Sequence, residues 1–147
     1  MINARSALKT LLSTVKWTDK NGEAQSVNVY LESDLDANRR ARYKTPALLI
    51  RGASTFPQPL NVGWDEWADT TEVVVSLYLK HRAGDYDVES TLDNITNQIE
   101  TLARQNKDGI GGADYLKLIS VDDRGILEEN GTVRRDFTFE FYSTSWW

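Results

Sequence analysis

Between Thr71 and Lys80 the chain places Val73, Val75, Leu77 and Leu79 on one parity, and Val74 and Tyr78 on the other. A period of two sends each set to its own face of a pleated strand. One face is fully apolar and the other partly so, which predicts a strand near the middle of a sheet. The rest of the chain must supply its neighbours and a layer to cover it.

Two segments have the helical period needed for that layer. Val88, Leu92, Ile95, Ile99 and Leu102 follow one another at spacings of four, three, four and three, and Asp85-Tyr86-Asp87 precede them as a cap. Asp108-Gly109 and Gly111-Gly112 stop that helix, because glycine tolerates the left-handed backbone that ends helices. Leu8, Leu11, Leu12 and Val15 form a second one-sided stripe, predicting a first helix that ends near Trp17.

The remaining strands are shorter. Asp19-Lys20-Asn21-Gly22 is a turn, after which Val27, Val29 and Leu31 alternate with Asn28 and Tyr30. Residues 32–45 are polar and predict an exposed loop. Pro46 opens the apolar run Ala47-Leu48-Leu49-Ile50, a position suited to the first residue of a strand. Tyr115 to Val121 reads as a strand, and Val133 to Tyr142 as a longer one, with Phe137, Phe139 and Phe141 inward and Asp136, Thr138 and Glu140 outward. Asp122-Asp123-Arg124-Gly125 and Asn130-Gly131 bracket a protruding hairpin region between them. Two stretches have no regular pattern, and both are expected to lack strands: a long loop over 52–69, and a short C-terminal tail over 143–147.

The expected order is thus α-β-β-β-α-β-β. It implies an α+β fold, a single mostly antiparallel sheet of about five strands with two main helices packed on one face. With 147 residues the chain makes one domain, spanning 1–147.

Composition narrows the chemistry. There are no cysteines, which excludes disulfides, thiolate metal sites and a cysteine nucleophile, and the lone His81 excludes a multi-histidine site. A formal charge of −5 argues against a dedicated nucleic-acid binder. No apolar run reaches the roughly 18 residues that span a bilayer. Met1-Ile2-Asn3-Ala4-Arg5-Ser6 lacks the pattern of a secretory leader, so a cytoplasmic protein, or one in a particle assembled there, is expected.

Each candidate site in the sequence has a plainer alternative. His81 ends the central strand between Lys80 and Arg82, and reads as a surface histidine rather than a base. No Gly-x-Ser-x-Gly elbow is present, and Gly109-Ile110-Gly111-Gly112 follows a helix instead of joining a strand to one, so it is not a phosphate loop. Asp34-Leu35-Asp36 and Asp85-Tyr86-Asp87 alternate acids, but Arg39 and Ser90 stand where a calcium loop needs glycine. No metal or cofactor is therefore expected. Asp122, Asp123, Glu128 and Glu129 lie in a turn-rich stretch that would not raise an acid's pKa. Arg39, Arg40 and Arg42 read equally as a solvated face or as a charge-complementary docking patch.

The aromatic residues are the unusual feature. Phe56, Trp64 and Trp67 fall in the expected loop and Trp146 and Trp147 in the tail, where a small domain has trouble burying them. A partner surface would cover them, making them candidate protein-interface residues. Otherwise the loop folds back over the sheet as a lid.

Read as a whole, the chain resembles the tail terminator, or tail completion, proteins of long-tailed bacteriophages. The resemblance rests on Ala7-Leu8-Lys9-Thr10-Leu11-Leu12, Lys44-Thr45-Pro46-Ala47-Leu48-Leu49-Ile50 and the run Thr71 to Leu79. It continues through Tyr86-Asp87-Val88-Glu89-Ser90-Thr91-Leu92 and Arg134-Arg135-Asp136-Phe137-Thr138-Phe139-Glu140-Phe141. It covers nearly the full chain as a pattern of elements.

The resemblance implies a six-membered ring on the head-proximal end of a virion's tail tube, assembled in the host cytoplasm. Such a ring ends tube polymerisation and meets the head connector. Its partners would be itself, the tube protein and the connector, with DNA only as passing cargo. Asp122, Asp123, Glu128 and Glu129 would then line the channel and repel phosphates. The alternatives are a head-completion or neck connector protein, a tail tube subunit, and a small hydrolase using Asp122 or Asp123 with His81.

Overall fold

The computed structural model describes residues 3–32, 45–80, 84, 86–127 and 131–146, with the side chains of 125–127, 145 and 146 left aside. In chain order the elements are α1 (Ala4–Leu12), β1 (Lys16–Thr18), β2 (Ala24–Ser26), β3 (Asn28–Leu31), β4 (Ala47–Pro59), β5 (Glu66–Lys80), α2 (Val88–Gln105), β6 (Tyr115–Leu127) and β7 (Thr132–Trp146). Five strands form one sheet in the order β3-β4-β5-β7-β6, and β1 pairs with β2 in a separate two-stranded sheet. β3 runs parallel to β4, and the other three pairings of the large sheet are antiparallel.

The alternation in the sequence accounts for the layers. Val73, Val75, Leu77 and Leu79 of β5, Leu48 and Ile50 of β4, and Phe137, Phe139 and Phe141 of β7 share one face and are almost completely buried. Leu8 and Leu12 of α1 and Ile95, Ile99 and Ala103 of α2 join the same cluster, so both helices cover that one face. The expected α+β architecture is the observed one. Each fully buried Leu, Ile or Phe contributes roughly 1.5–3 kcal/mol relative to exposure, so this layer is the main source of stability.

Local signals set the ends of the helices. The Asp87 carboxylate accepts from the Ser90 amide at 3.2 Å and the Ser90 hydroxyl at 2.7 Å, capping α2. Glu89 lies in the first turn and Arg104 in the last, each suited to the helix dipole. Gly109 follows with φ +98, where an added Cβ would sit 2.0 Å from the Ala113 carbonyl oxygen, so the turn demands glycine.

Several expectations are corrected. α1 ends at Leu12 rather than near Trp17, because the hydroxyls of Ser13 and Thr14 bond back to the Lys9 and Leu11 carbonyls as the helix unwinds. Trp17 instead lies in β1, and the Asp19–Gly22 turn joins β1 to β2. The long loop over 52–69 does not exist: β4 runs to Pro59 and β5 begins at Glu66, leaving only 60–65 between them. The tail is not a tail either, since β7 continues to Trp146, opposite Glu66.

Candidate functional site

β3 pairs with β4 only as far as Ile50, and β6 begins opposite Tyr142, which faces Thr70. Among the described residues, β4, β5 and the end of β7 continue beyond those rungs as a three-stranded ribbon. From Thr70 to Glu66 this amounts to about 14 Å of overhang at the usual strand rise.

The tip of the ribbon is tightly built and apolar. The Leu60 amide donates to the Glu66 carbonyl at 2.8 Å, the Trp64 amide to the Asn61 carbonyl at 3.2 Å, and the Trp67 indole N–H to the Trp64 carbonyl at 2.7 Å. The rings of Trp64 and Trp67 meet edge to face at 5.8 Å. Yet Val62 is 96 % exposed, Trp64 60 %, Phe56 56 % and Leu60 43 %. Trp64 also has φ +58, a left-handed backbone that bulky residues rarely adopt. Ordered, strained and exposed aromatic residues on a projecting ribbon suit a contact surface.

The sheet face without helices carries a polar network. Asp136 alternates with the inward phenylalanines, and is directed as expected to the opposite face, but it is only 2 % exposed. Arg134 binds its carboxylate in two-pronged fashion at 2.8 and 3.0 Å, Arg124 donates at 3.1 Å, and the Ser76 hydroxyl at 2.7 Å. Burial by itself would raise the Asp136 carboxyl, but the bonds from Arg134, Ser76 and Arg124 outweigh it and hold the group below its ordinary value. Arg51 extends the network, donating to Ser76 Oγ at 2.8 Å and Tyr78 Oη at 2.6 Å. A carboxylate saturated by donors in this way has no proton to give and anchors arginines instead. Alternation predicts the outward direction of Asp136 but not its burial. The only signal for its partners was the shared parity of Ser76, Tyr78, Arg134 and Asp136.

The other sequence candidates are dispersed. Asp122 faces Asp136 in the β6–β7 register, whereas Asp123 faces Arg135 and pairs with it, so the two acids point to opposite faces of β6. The Arg135 side chain also donates to Thr96 on α2 at 2.8 Å, and holds the Asp123 carboxyl below its ordinary value. Trp64 and Trp67 meet at the hairpin tip, whereas Phe56, opposite Thr70, stands three rungs away on the other face of the ribbon from Trp67. Arg39, Arg40, Arg42, His81, Glu128, Glu129, Trp147 and the side chain of Trp146 lie outside the described residues. Among the described residues, no group of three or more His, Asp or Glu side chains is arranged to hold a metal ion. None of the described helices is long and apolar enough to cross a membrane.

No protein-family model matches the chain, and no curated protein matches it.

Proposed function

We propose that this chain is a structural virion protein whose copies form a ring, six-membered as in the family its sequence resembles, on the head-proximal end of a phage tail tube. The ring ends tube polymerisation and joins the tube to the head connector. The observation that carries this reading is the apolar tip of the β4–β5 hairpin. A small domain that holds Leu60, Val62 and Trp64 in water at the end of a stiff ribbon gains by covering them with another protein surface. The order of elements that underlies the resemblance supports the same reading. A net charge of −5 suits a channel through which DNA passes without sticking.

Native mass spectrometry and negative-stain microscopy over a concentration series test the ring, and addition of the purified chain to polymerising tail tube protein tests the cap. Closed six-fold rings and tubes of arrested length are expected. A monomer at every concentration that leaves tube length unchanged overturns the reading, and filaments formed by the chain alone would make it a tube subunit instead.

A further inference from the structure

A second apolar surface lies on the opposite flank of the sheet. Leu116, Leu118, Ile119 and Val121 of β6 and Ala103 of α2 line a groove of about 510 Å³. A register shift between Leu118 and Ser120 leaves Ile119 unopposed on β7, so this bulge turns a large apolar side chain outward. Ile119 is 40 % exposed and Val121 39 %. Apolar residues on an edge strand invite association unless something covers them.

The charges around the two surfaces are opposite. From Gly52 to Leu79 the chain has Asp65, Glu66, Asp69 and Glu72 and no lysine or arginine, and Asp65 and Glu66 flank the hairpin tip. The groove is bordered by Arg104, Lys107 and Lys117 against a single acid, Glu100.

A copy cannot satisfy itself. The groove residues of β6 pair with the Phe137–Phe141 stretch of β7, which in turn pairs with Val75–Thr71 of β5. Those rungs recede from Thr70, whereas the tip extends beyond Glu66 in the other direction. The knob therefore points away from its own socket.

We propose that the hairpin tip of one copy seats in the α2–β6 groove of the next, with Leu60, Val62 and Trp64 against Leu118, Ile119 and Val121, and Asp65 and Glu66 against Lys107 and Lys117. This contact rests on the reading of the chain as a ring subunit and specifies how the ring closes. Two different patches on one chain make a heterologous, head-to-tail interface, the kind that generates rings when its rotation closes. Electrostatic complementarity fixes the register of the docking.

Because the chain has no cysteine, paired single substitutions report the contact directly. In a V62C/I119C double variant, assembled and then treated with a short bis-maleimide, a ladder of covalent oligomers ending at the ring size is expected. An equimolar mixture of V62C and I119C single variants is expected to stop at dimers. Reversing the knob charges (D65K/E66K) is expected to weaken self-association more than about tenfold, and K107E/K117E in the same chain to restore it.

Self-linking of V62C alone would overturn the proposal in favour of a tip-to-tip contact. Rings visible by microscopy but without a ladder would reject this contact while leaving the ring reading intact. Absence of association at every concentration would reject both. Intact rings in D65K/E66K that no longer arrest tubes would assign the tip to the tube protein and overturn the proposal.

Discussion

Ser76 and Asp136 stand directly opposite each other in the β5–β7 register, and the serine hydroxyl donates to the carboxylate at 2.7 Å beneath a layer of arginine side chains. This pair lies at the centre of the face that the helices leave bare. Arg134 and Arg124 bond the carboxylate directly, and Arg51 bonds the serine.

Replacing Asp136 leaves these arginines without their counter-charge. Asp136→Ala is expected to destabilise the fold by about 3–5 kcal/mol, the usual cost of removing one member of a buried ion pair. Arg124→Ala should cost about 1 kcal/mol or less, because that side chain is 57 % exposed. Urea denaturation of the two variants measures the difference.

The same group makes the fold sensitive to acid. The folded Asp136 carboxyl titrates below its ordinary value of 3.8, so its stabilisation is complete above the unfolded value and is lost as pH falls towards the folded one. Stability measured between pH about 5 and 2 is expected to fall steeply in the native chain and less steeply in Asp136→Asn. Equal slopes would remove Asp136 from the account.

Asp122 and Asp123 are expected to separate in the same assay. Asp123 is paired with Arg135 across the β6–β7 register at the surface, so Asp123→Asn should cost about 0.2–1 kcal/mol. Asp122→Asn, exposed and with an acidic residue opposite, should stay within about 0.5 kcal/mol of the native chain. Self-association should survive both changes, because the two acids point to opposite faces of β6 and Asp123 is already paired with Arg135.

Trp64 should show contact and stability pulling apart. Trp64→Gly relieves a left-handed backbone that costs roughly 1–2 kcal/mol for a side-chain-bearing residue. It also removes a ring contact with Trp67 worth about 0.5–1.5 kcal/mol. The monomer's denaturation midpoint should barely move. Self-association should weaken by about 30-fold, since truncating a central aromatic anchor costs about 2 kcal/mol or more. Sedimentation equilibrium beside a urea melt separates the two effects.

How far the sequence revealed this molecule followed from burial. The rows Val73 to Leu79, Phe137 to Phe141 and Val88 to Leu102 were legible because each buries one face, and burial writes a period into the residues. The outer half of β4 is exposed along nearly its whole length, so Gly52 to Gln58 carry no alternation and read as loop. β1 and β2 are three residues each, too short for any period to register. Phe56, Trp64 and Trp67 read as loop aromatics, but Phe56 lies in β4, Trp67 in β5 and Trp64 in the turn between them. The groove was not legible, because a bulge at Ile119 shifts the parity of β6 midway. The outward direction of Asp136 was legible from alternation, but its burial was not, because Arg124 and Ser76 reach it from other strands and Arg51 reaches Ser76.

The prolines of the hairpin explain how a long unpaired edge remains harmless. Among the described residues, no strand lies beside the outer edge of β4 past Ile50. The Leu60 amide donates inward to Glu66, so by the alternation of an antiparallel ladder the amide positions of residues 58 and 56 also face β5. Positions 57 and 59 then face outward, and both are proline, which has no N–H to offer an incoming strand. Contacts along residues 57–59 of this edge must therefore be made by side chains, not by adding a strand. Pro57→Thr with Pro59→Thr restores two outward donors on an edge that already carries the exposed Phe56. The double variant is expected to keep its fold but to form open-ended polymers in place of discrete species. Light scattering and electron microscopy at matched concentrations provide the check, and discrete species identical to those of the native chain would show that the prolines do not guard the edge.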